Sequence, residues 1–197
     1  MAKIYALCDM SLLKKYKIDI KEYVKIAKYF NASIIQYRDK ISSLEEKKEN
    51  LKILKNQSDI PVIINDFLEL VQFADGLHIG QEDLINIIDS FGFRSKYEAI
   101  EGIRKIIGKK ILGLSTHNES EIKEANLFNL DYIGLGAYRS SSTKEVENIL
   151  GEKLHCLGVI SKHPVVAIGG IRLFDNIKNV SYKAIGSDLL KKYLTYS

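Results

Sequence analysis

The stretch PVIINDFLELVQFADGLHIGQED, residues 61–83, holds two short apolar runs, PVIIND (61–66) and DGLHIG (75–80), with only FLELVQFA between them. Both runs are apolar at consecutive positions, as strands are when helices cover both faces of a parallel sheet. Two such strands need a crossover, and here it can only be a short helix.

Working outward, the same kind of run recurs at IYALCD (4–9), SIIQYR (33–38), KILGLS (110–115), DYIGLG (131–136), PVVAIGG (164–170) and YKAIGS (182–187), which makes eight. Helix-period segments fill the intervals. Asp19 with Glu22, Ser42 with Glu45 and Ser95 with Glu98 have the spacing of capping pairs ahead of apolar stripes such as Ile100, Ile103 and Ile107. Eight βα units in 197 residues predict one (β/α)8 barrel of the TIM type, a single domain over 1–197, near the lower size limit of that architecture. The runner-up is an open doubly wound sheet. It would want fewer strands and a glycine-rich loop after the first, where CDMSLL has none. The least regular units are the third and fourth. After the short FLELVQFA crossover comes a long excursion, DLINIIDSFGFRSKYEAI (83–100), expected to form a functional loop or an extra helical turn.

Composition narrows the function classes. The net charge of +4 rests on 24 lysines and only 5 arginines, scattered at Lys14, Lys15, Lys25, Lys28, Lys47, Lys48, Lys109, Lys110, Lys191 and Lys192. That pattern reads as solvated helix faces; a nucleic-acid footprint would cluster and favour Arg. Cys8 and Cys156 stand alone without metal-ligand spacing, and no signal peptide precedes the first apolar run, so a cytoplasmic location is expected. No apolar segment approaches the roughly 18 residues of a membrane span. Small molecules are the expected partners, and a homo-oligomer is left open.

In a βα barrel the polar residues at the carboxyl ends of the strands converge on one mouth. In QYRDK the two-residue period puts Gln36, Arg38 and Lys40 on one side and Tyr37 and Asp39 on the other, an anion site with an amide beside it. Asn65-Asp66 ends the third strand, and the fourth runs into GQED, ending at Asp83. If these strands are neighbours, Asp66 and Asp83 can share a hard cation, with a polyphosphate and Mg²⁺ between them and the bases. Ser115 ends strand five, ahead of an Asn118/Glu121 helix start. His78 reads as a core histidine, and His117, in the loop, is the more open to function. The hydroxyl-rich GAYRSSSTK (136–144) carries Arg139 and Lys144 toward a phosphate. IGGI and IGSD let backbone N–H groups approach an anion, with helices expected from Arg172 and Ser187. Two anion sites, one basic with a metal and one built from backbone, suit the joining of a diphosphate-bearing electrophile to a monophosphate-bearing nucleophile.

In order along the chain, Q-x-R-x-K, I-N-D, A-D-G-x-H-x-G-Q-E-D, G-x-S-x-H, D-Y-x-G-x-G, T-K and A-I-G-G-I resemble the thiamine phosphate synthase family and its thiazole tautomerase branch, over nearly the whole chain. The resemblance implies that Gln36, Arg38, Lys40 and Asn65 hold hydroxymethylpyrimidine diphosphate, that Asp66 and Asp83 ligate Mg²⁺, and that Ser115 and Lys144 grip the diphosphate. It also implies that Ser141, Thr143, Gly170, Gly186 and Ser187 receive the thiazole phosphate. The chain departs from the family pattern at Tyr138-Arg139 and at Ser140-Ser141, where the family usually has proline and threonine. The tautomerase branch generally lacks the paired carboxylates, so the retained set points to the synthase, a transferase. The alternatives are the tautomerase, and a non-catalytic binder of thiamine precursors.

Overall fold

The computed structural model describes residues 2–140 and 148–196. All eight apolar runs become strands: β1 (Lys3–Asp9), β2 (Ile34–Arg38), β3 (Val62–Asn65), β4 (Gly76–Ile79), β5 (Ile111–Thr116), β6 (Tyr132–Leu135), β7 (Val165–Ala167) and β8 (Tyr182–Ile185). They pair in sequence order, all parallel, and β8 returns to β1, so the barrel closes. Closure removes both sheet edges. The predicted (β/α)8 architecture is therefore the observed one.

The strands bury both faces. Outward residues such as Ala6, Cys8, Ile35, Tyr37, Ile64, Leu77, Leu112 and Ile133 pack beneath the helices, while Tyr5, Ile34, Ile63, Tyr132, Val166 and Ala184 fill the barrel interior. A two-residue period sends these two sets to opposite sides. The same period carries the inner face upward from Ile34 to Gln36 and Arg38, and from Ile63 to Asn65, so the polar strand ends inherit an inward aim.

The helices are α1 (Met10–Tyr16), α2 (Ile20–Tyr29), α3 (Leu44–Gln57), α4 (Gln81–Phe91), α5 (Lys96–Ile107), α6 (Glu119–Ala125), α7 (Lys153–Gly158) and α8 (Ser187–Tyr196). The β3–β4 crossover is as short as expected, a 3₁₀ helix at Leu68–Phe73. Asp19, Ser95 and Asn118 cap α2, α5 and α6 as their spacing predicted. The 83–100 excursion resolves into most of α4 and the start of α5, an added helix rather than an added turn.

Three expectations are corrected. The capping box of α3 is Ser43 with Glu46, not Ser42 with Glu45. Asp39 Oδ1 accepts the backbone N–H groups of Ile41 and Ser42, both at 3.0 Å, which ties Ser42 into a turn and leaves the cap to its neighbour. Lys47 is not on a solvated face. It is 4% exposed, donates to the Ser42 carbonyl and lies 4.6 Å from the Phe67 ring centroid. Finally, no helix starts at Arg172. The β7–β8 connection is held instead by side chains: Asp188 Oδ2 accepts from Leu173 N (2.8 Å), and Lys183 Nζ donates to the carbonyls of Leu173 (2.6 Å) and Asp175 (3.0 Å).

Candidate active site

The carboxyl ends of β2, β3 and β5 bring Gln36, Arg38, Asn65 and Ser115 to one half of the barrel mouth, as the strand-end reading required, with His78 of β4 buried beneath Ser115. Gln36, Asn65 and His78 are buried, Arg38 and Ser115 half-buried, and Lys40 is exposed just beyond β2. Arg38 has a partner that the strand-end reading passed over. Asp9, its register partner at the end of β1, binds the Arg38 guanidinium through Oδ2. The other oxygen, Oδ1, accepts the N–H groups of Ser11 (3.0 Å) and Leu12 (3.1 Å) at the start of α1. One carboxylate thus caps a helix and fixes the cation. The Arg38 side chain keeps 21% of its surface exposed, enough to meet an anion from the mouth.

On the other face of β2, Tyr37 donates to Asp39 Oδ2 (2.7 Å) and accepts from Asn50 Nδ2 (3.0 Å). Tyr37 and Asp39 therefore hold the strand to α3, and the segregation of Gln36 and Arg38 from them is complete.

Asp66 sits past the end of β3 with φ +69°, a left-handed conformation that Asp adopts more readily than most residues. Its backbone N–H donates to the His78 carbonyl (2.9 Å), and its Oδ1 accepts from Gly80 N (3.3 Å). Asn65 Nδ2 donates to its other oxygen. Asp83, in the first turn of α4, faces it across Gly80: a methyl group on the Gly80 Cα would lie 2.7 Å from Asp83 Oδ2 and 3.9 Å from Asp66 Oδ1. Burial first, and the like charge of Asp83 second, push the Asp66 carboxyl up to about 6, against the pull of the Gly80 N–H and Lys40.

This pair fits a divalent cation. Two carboxylates held together at a cost in ionisation are what a hard cation relieves. Among the described residues no cluster of three or more His, Cys, Asp or Glu is placed to hold a metal. Mg²⁺ is characteristically held by one or two carboxylates, with substrate phosphates and water completing its shell.

Ser115 is fixed from two sides. Its carbonyl accepts from Gln81 Nε2 (2.7 Å), and its Oγ lies 2.9 Å from His78 Nε2. Gln81 is in turn held by Lys96 Nζ (3.0 Å), which also pairs with Glu124 (2.8 Å). The added helix α5 thereby braces the end of β5. His78 is a satisfied core histidine, as read from sequence, with burial lowering it to about 4 and His117 adding to the effect. His117 is engaged in a cap: its backbone N–H and its Nδ1 each lie 2.9 Å from Glu121 Oε2.

The β6–β8 side is built differently. Gly169 and Gly170 take φ +89° and +61°, and α8 begins at Ser187, directly after Gly186. Gly170 admits no side chain, since an added Cβ would meet Arg139 Cβ and the Ser140 carbonyl at 2.8 Å. Arg139 does not reach toward a phosphate as the loop's composition led us to expect. It grips Asp175 with both terminal nitrogens (2.5 and 3.0 Å), donates to the Gly170 carbonyl (3.2 Å), and stacks 4.5 Å from the Tyr138 ring centroid. A carboxylate in the next loop outcompetes open solvent for the guanidinium. Ser141, Thr143 and Lys144 lie outside the described residues.

With this geometry in place, the chain matches the thiamine monophosphate synthase family over residues 4–186. It belongs to that family. It is 37% identical over 195 residues to the thiamine-phosphate synthase of Persephonella marina, covering 95% of this chain and 81% of that protein. It is 38% identical over 167 residues to the thiamine-phosphate synthase of Caldicellulosiruptor bescii, covering 81% and 69%. Among solved structures, the thiamine phosphate pyrophosphorylase of Pyrococcus furiosus superposes with a TM-score of 0.73 at 24% identity, covering 98% of this chain and 96% of that one, a likeness of fold. Within this thiamine monophosphate synthase family member, the residues missed from sequence are Asp9, Gln81 and Lys96. Asp9 had a readable signal, an acid at the end of a strand adjoining the one that ends in Arg38. Lys96 had none, because its partners Gln81 and Glu124 come from separate helices.

Proposed function

We propose that the protein is a thiamine-phosphate synthase, joining hydroxymethylpyrimidine diphosphate to thiazole phosphate with release of diphosphate. The observation that carries this reading is the facing Asp66/Asp83 pair near Lys40, with Arg38 at the end of the adjoining strand β2, in a chain whose relatives at 37% and 38% identity are thiamine-phosphate synthases. A thiazole tautomerase would have no use for two crowded carboxylates, and a passive binder none for a metal pair.

The thiazole nitrogen uses its lone pair to form the new C–N bond at the pyrimidine methylene, and the C–O bond to diphosphate breaks, so the leaving group departs with that electron pair. No proton is abstracted from the nucleophile. The difficulty lies in charge accumulating on the departing diphosphate, and the chain's answer is electrostatic. Arg38, held in place by Asp9, and Lys40 at the rim stabilise that charge, with Lys144 assigned to the same group. Ser115 donates its hydroxyl proton to a diphosphate oxygen. Gln36 and Asn65 orient the aminopyrimidine, whose electron-rich ring stabilises the methylene cation. Asp66 and Asp83 would hold Mg²⁺, which when bound supplies Lewis-acid neutralisation of the diphosphate. Gly170, Gly186 and Ser187 receive the thiazole phosphate at the N-terminus of α8, and the family resemblance assigns Ser141 and Thr143 to the same group.

Two free cysteines, Cys8 and Cys156, support a reducing, cytoplasmic setting, and no helix among the described residues is long and apolar enough to cross a membrane. The test is a coupling assay with both phosphorylated substrates and Mg²⁺. Thiamine phosphate and diphosphate should appear in equal amounts and vanish in EDTA; isomerisation of the thiazole without coupling would overturn the reading.

A further inference from the structure

Beneath the mouth, a polar chain crosses the barrel interior from Ser115 to Tyr5, with the Gln36 side chain neighbouring its Tyr5 end, so that it runs between two residues assigned to opposite ends of the diphosphate substrate. The Gln36 side chain is a hydrogen-bonding neighbour of the Tyr5 hydroxyl. Tyr5 Oη lies 2.8 Å from Tyr132 Oη, Tyr132 Oη 2.9 Å from His78 Nδ1, and His78 Nε2 2.9 Å from Ser115 Oγ. Tyr5, Tyr132 and His78 are at most 5% exposed, so no bulk water replaces a missing partner. The chain is also built for: Gly113, the register partner of Tyr132, leaves the space that the Tyr132 ring occupies, where an added Cβ would come within 2.1 Å of Cζ.

Proton counting restricts this chain to two states. Each hydroxyl has one proton to donate, and a neutral imidazole has one N–H and one acceptor nitrogen. If the Ser115 hydroxyl donates to His78 Nε2, then His78 Nδ1–H donates to Tyr132, Tyr132 to Tyr5, and Tyr5 to the Gln36 carbonyl oxygen. Ser115 would then offer an incoming diphosphate only lone pairs. In the opposite sense, the Gln36 amide N–H donates to Tyr5, Tyr5 to Tyr132, Tyr132 to His78 Nδ1, and His78 Nε2–H to Ser115. The Ser115 proton is then free for a phosphate oxygen, and the Gln36 carbonyl is free to accept from an amine.

Resting on the synthase reading, we propose that the Tyr5–Tyr132–His78 chain is a directional positioning element: a diphosphate at Ser115 selects the second sense, fixes His78 as its Nε2–H tautomer, and presents the Gln36 carbonyl to the exocyclic amine of the pyrimidine. Recognition of the leaving group and recognition of the ring are thereby coupled through the barrel core. Reversal would leave lone pairs facing a polyanion, and buried polar groups that lose their partners are costly to the bound state.

The wild-type protein with ¹⁵N-labelled histidine tests this directly, in complex with Mg²⁺ and either inorganic diphosphate or the pyrimidine diphosphate. His78 should show a protonated Nε2 and a bare Nδ1. Binding with Nδ1 protonated, or with both nitrogens protonated, would overturn the inference and leave the synthase reading intact; no binding of either probe would overturn both. Tyr132→Phe should raise KM for the pyrimidine diphosphate about tenfold while that for thiazole phosphate stays within about twofold. Tyr5→Phe frees the Gln36 amide to turn over. It should reduce, about tenfold, the preference for the aminopyrimidine over an analogue with a carbonyl in place of the amine. Equal rises in both KM values, or an unchanged preference, would show a merely structural role.

Discussion

The two halves of the barrel mouth are built differently, one from side chains and the other from backbone. From β2 to β5 it is made of side chains, Gln36, Arg38, Asn65, Asp66, Asp83 and Ser115, most of them held by a named partner. From β6 to β8 it is made of backbone, with Gly169 and Gly170 at positive φ, the start of α8, and a guanidinium, Arg139, committed to Asp175. The difference matches what each ligand does in the proposed reaction. A leaving diphosphate gains charge at the transition state, and full charges placed where that charge develops accelerate departure. The thiazole phosphate keeps its charge throughout, so fixed backbone dipoles suffice to hold it.

The largest break in this contrast should come from Asp66. Asp66→Ala removes one of the two carboxylates proposed to hold Mg²⁺ and should lower coupling by roughly a thousandfold or more. Steady-state coupling and calorimetry with and without Mg²⁺ check it; equal affinity for the pyrimidine diphosphate in EDTA would sink the metal assignment. The same residue should carry an opposite effect on stability. With its folded value near 6 against an ordinary 3.8, the folded state holds a proton between those values that the unfolded state releases, so stability falls as pH rises through that window. Asp66→Asn should therefore stabilise the metal-free protein above pH 6, by up to about 3 kcal/mol, in urea melts at pH 4 and 7. A gain confined to pH 4 would contradict the crowding of the two carboxylates.

Next in size is Arg38→Ala. In the proposed mechanism it removes a charge-assisted contact to the developing anion, and it should slow turnover by one to several powers of ten, about 3 kcal/mol in the transition state. Binding of thiazole phosphate alone should hardly change. An effect on both substrates alike would erase the division between the halves.

Gly170→Ala probes the other half. An alanine there faces both an unfavourable left-handed backbone and a clash with Arg139, so the β7–β8 loop must shift. KM for thiazole phosphate should rise about tenfold with little change for the pyrimidine diphosphate. If the pyrimidine side suffers instead, the glycine loop is not where the monophosphate sits.

The contrast also explains what sequence could reveal. Strand residues obey a two-residue period, so the aim of Gln36 and Arg38 and the eight-strand barrel were legible in the order of residues alone. The pairing of Asp66 with Asp83 was legible because consecutive strands are neighbours. Partners set by competition in space were not. Arg139 reads as a free phosphate ligand until the β7–β8 loop brings Asp175 to it, and Lys47 reads as surface until the turn at Asp39 lays the Ser42 carbonyl over it. The missing helix at Arg172 fails for the same reason: Asp188 and Lys183, both from beyond that loop, hold it in a form that its own residues do not dictate.

The smallest effect should come from His117, and it separates the synthase from its nearest alternative. A tautomerase moves a proton on the thiazole and needs an acid–base group of near-neutral pKa within reach of the ring. His117 instead engages Glu121 through both its backbone N–H and Nδ1, in the arrangement of a helix cap for α6. Losing that ring contact in His117→Ala leaves the backbone N–H bond and the Asn118 cap in place, so the loop should hold. Coupling should fall no more than about threefold, the scale of one partly exposed hydrogen bond worth under about 1 kcal/mol. Metal-independent thiazole isomerisation that disappears in His117→Ala and survives in Asp66→Ala would reverse the assignment, because only proton transfer at the loop could then account for the activity.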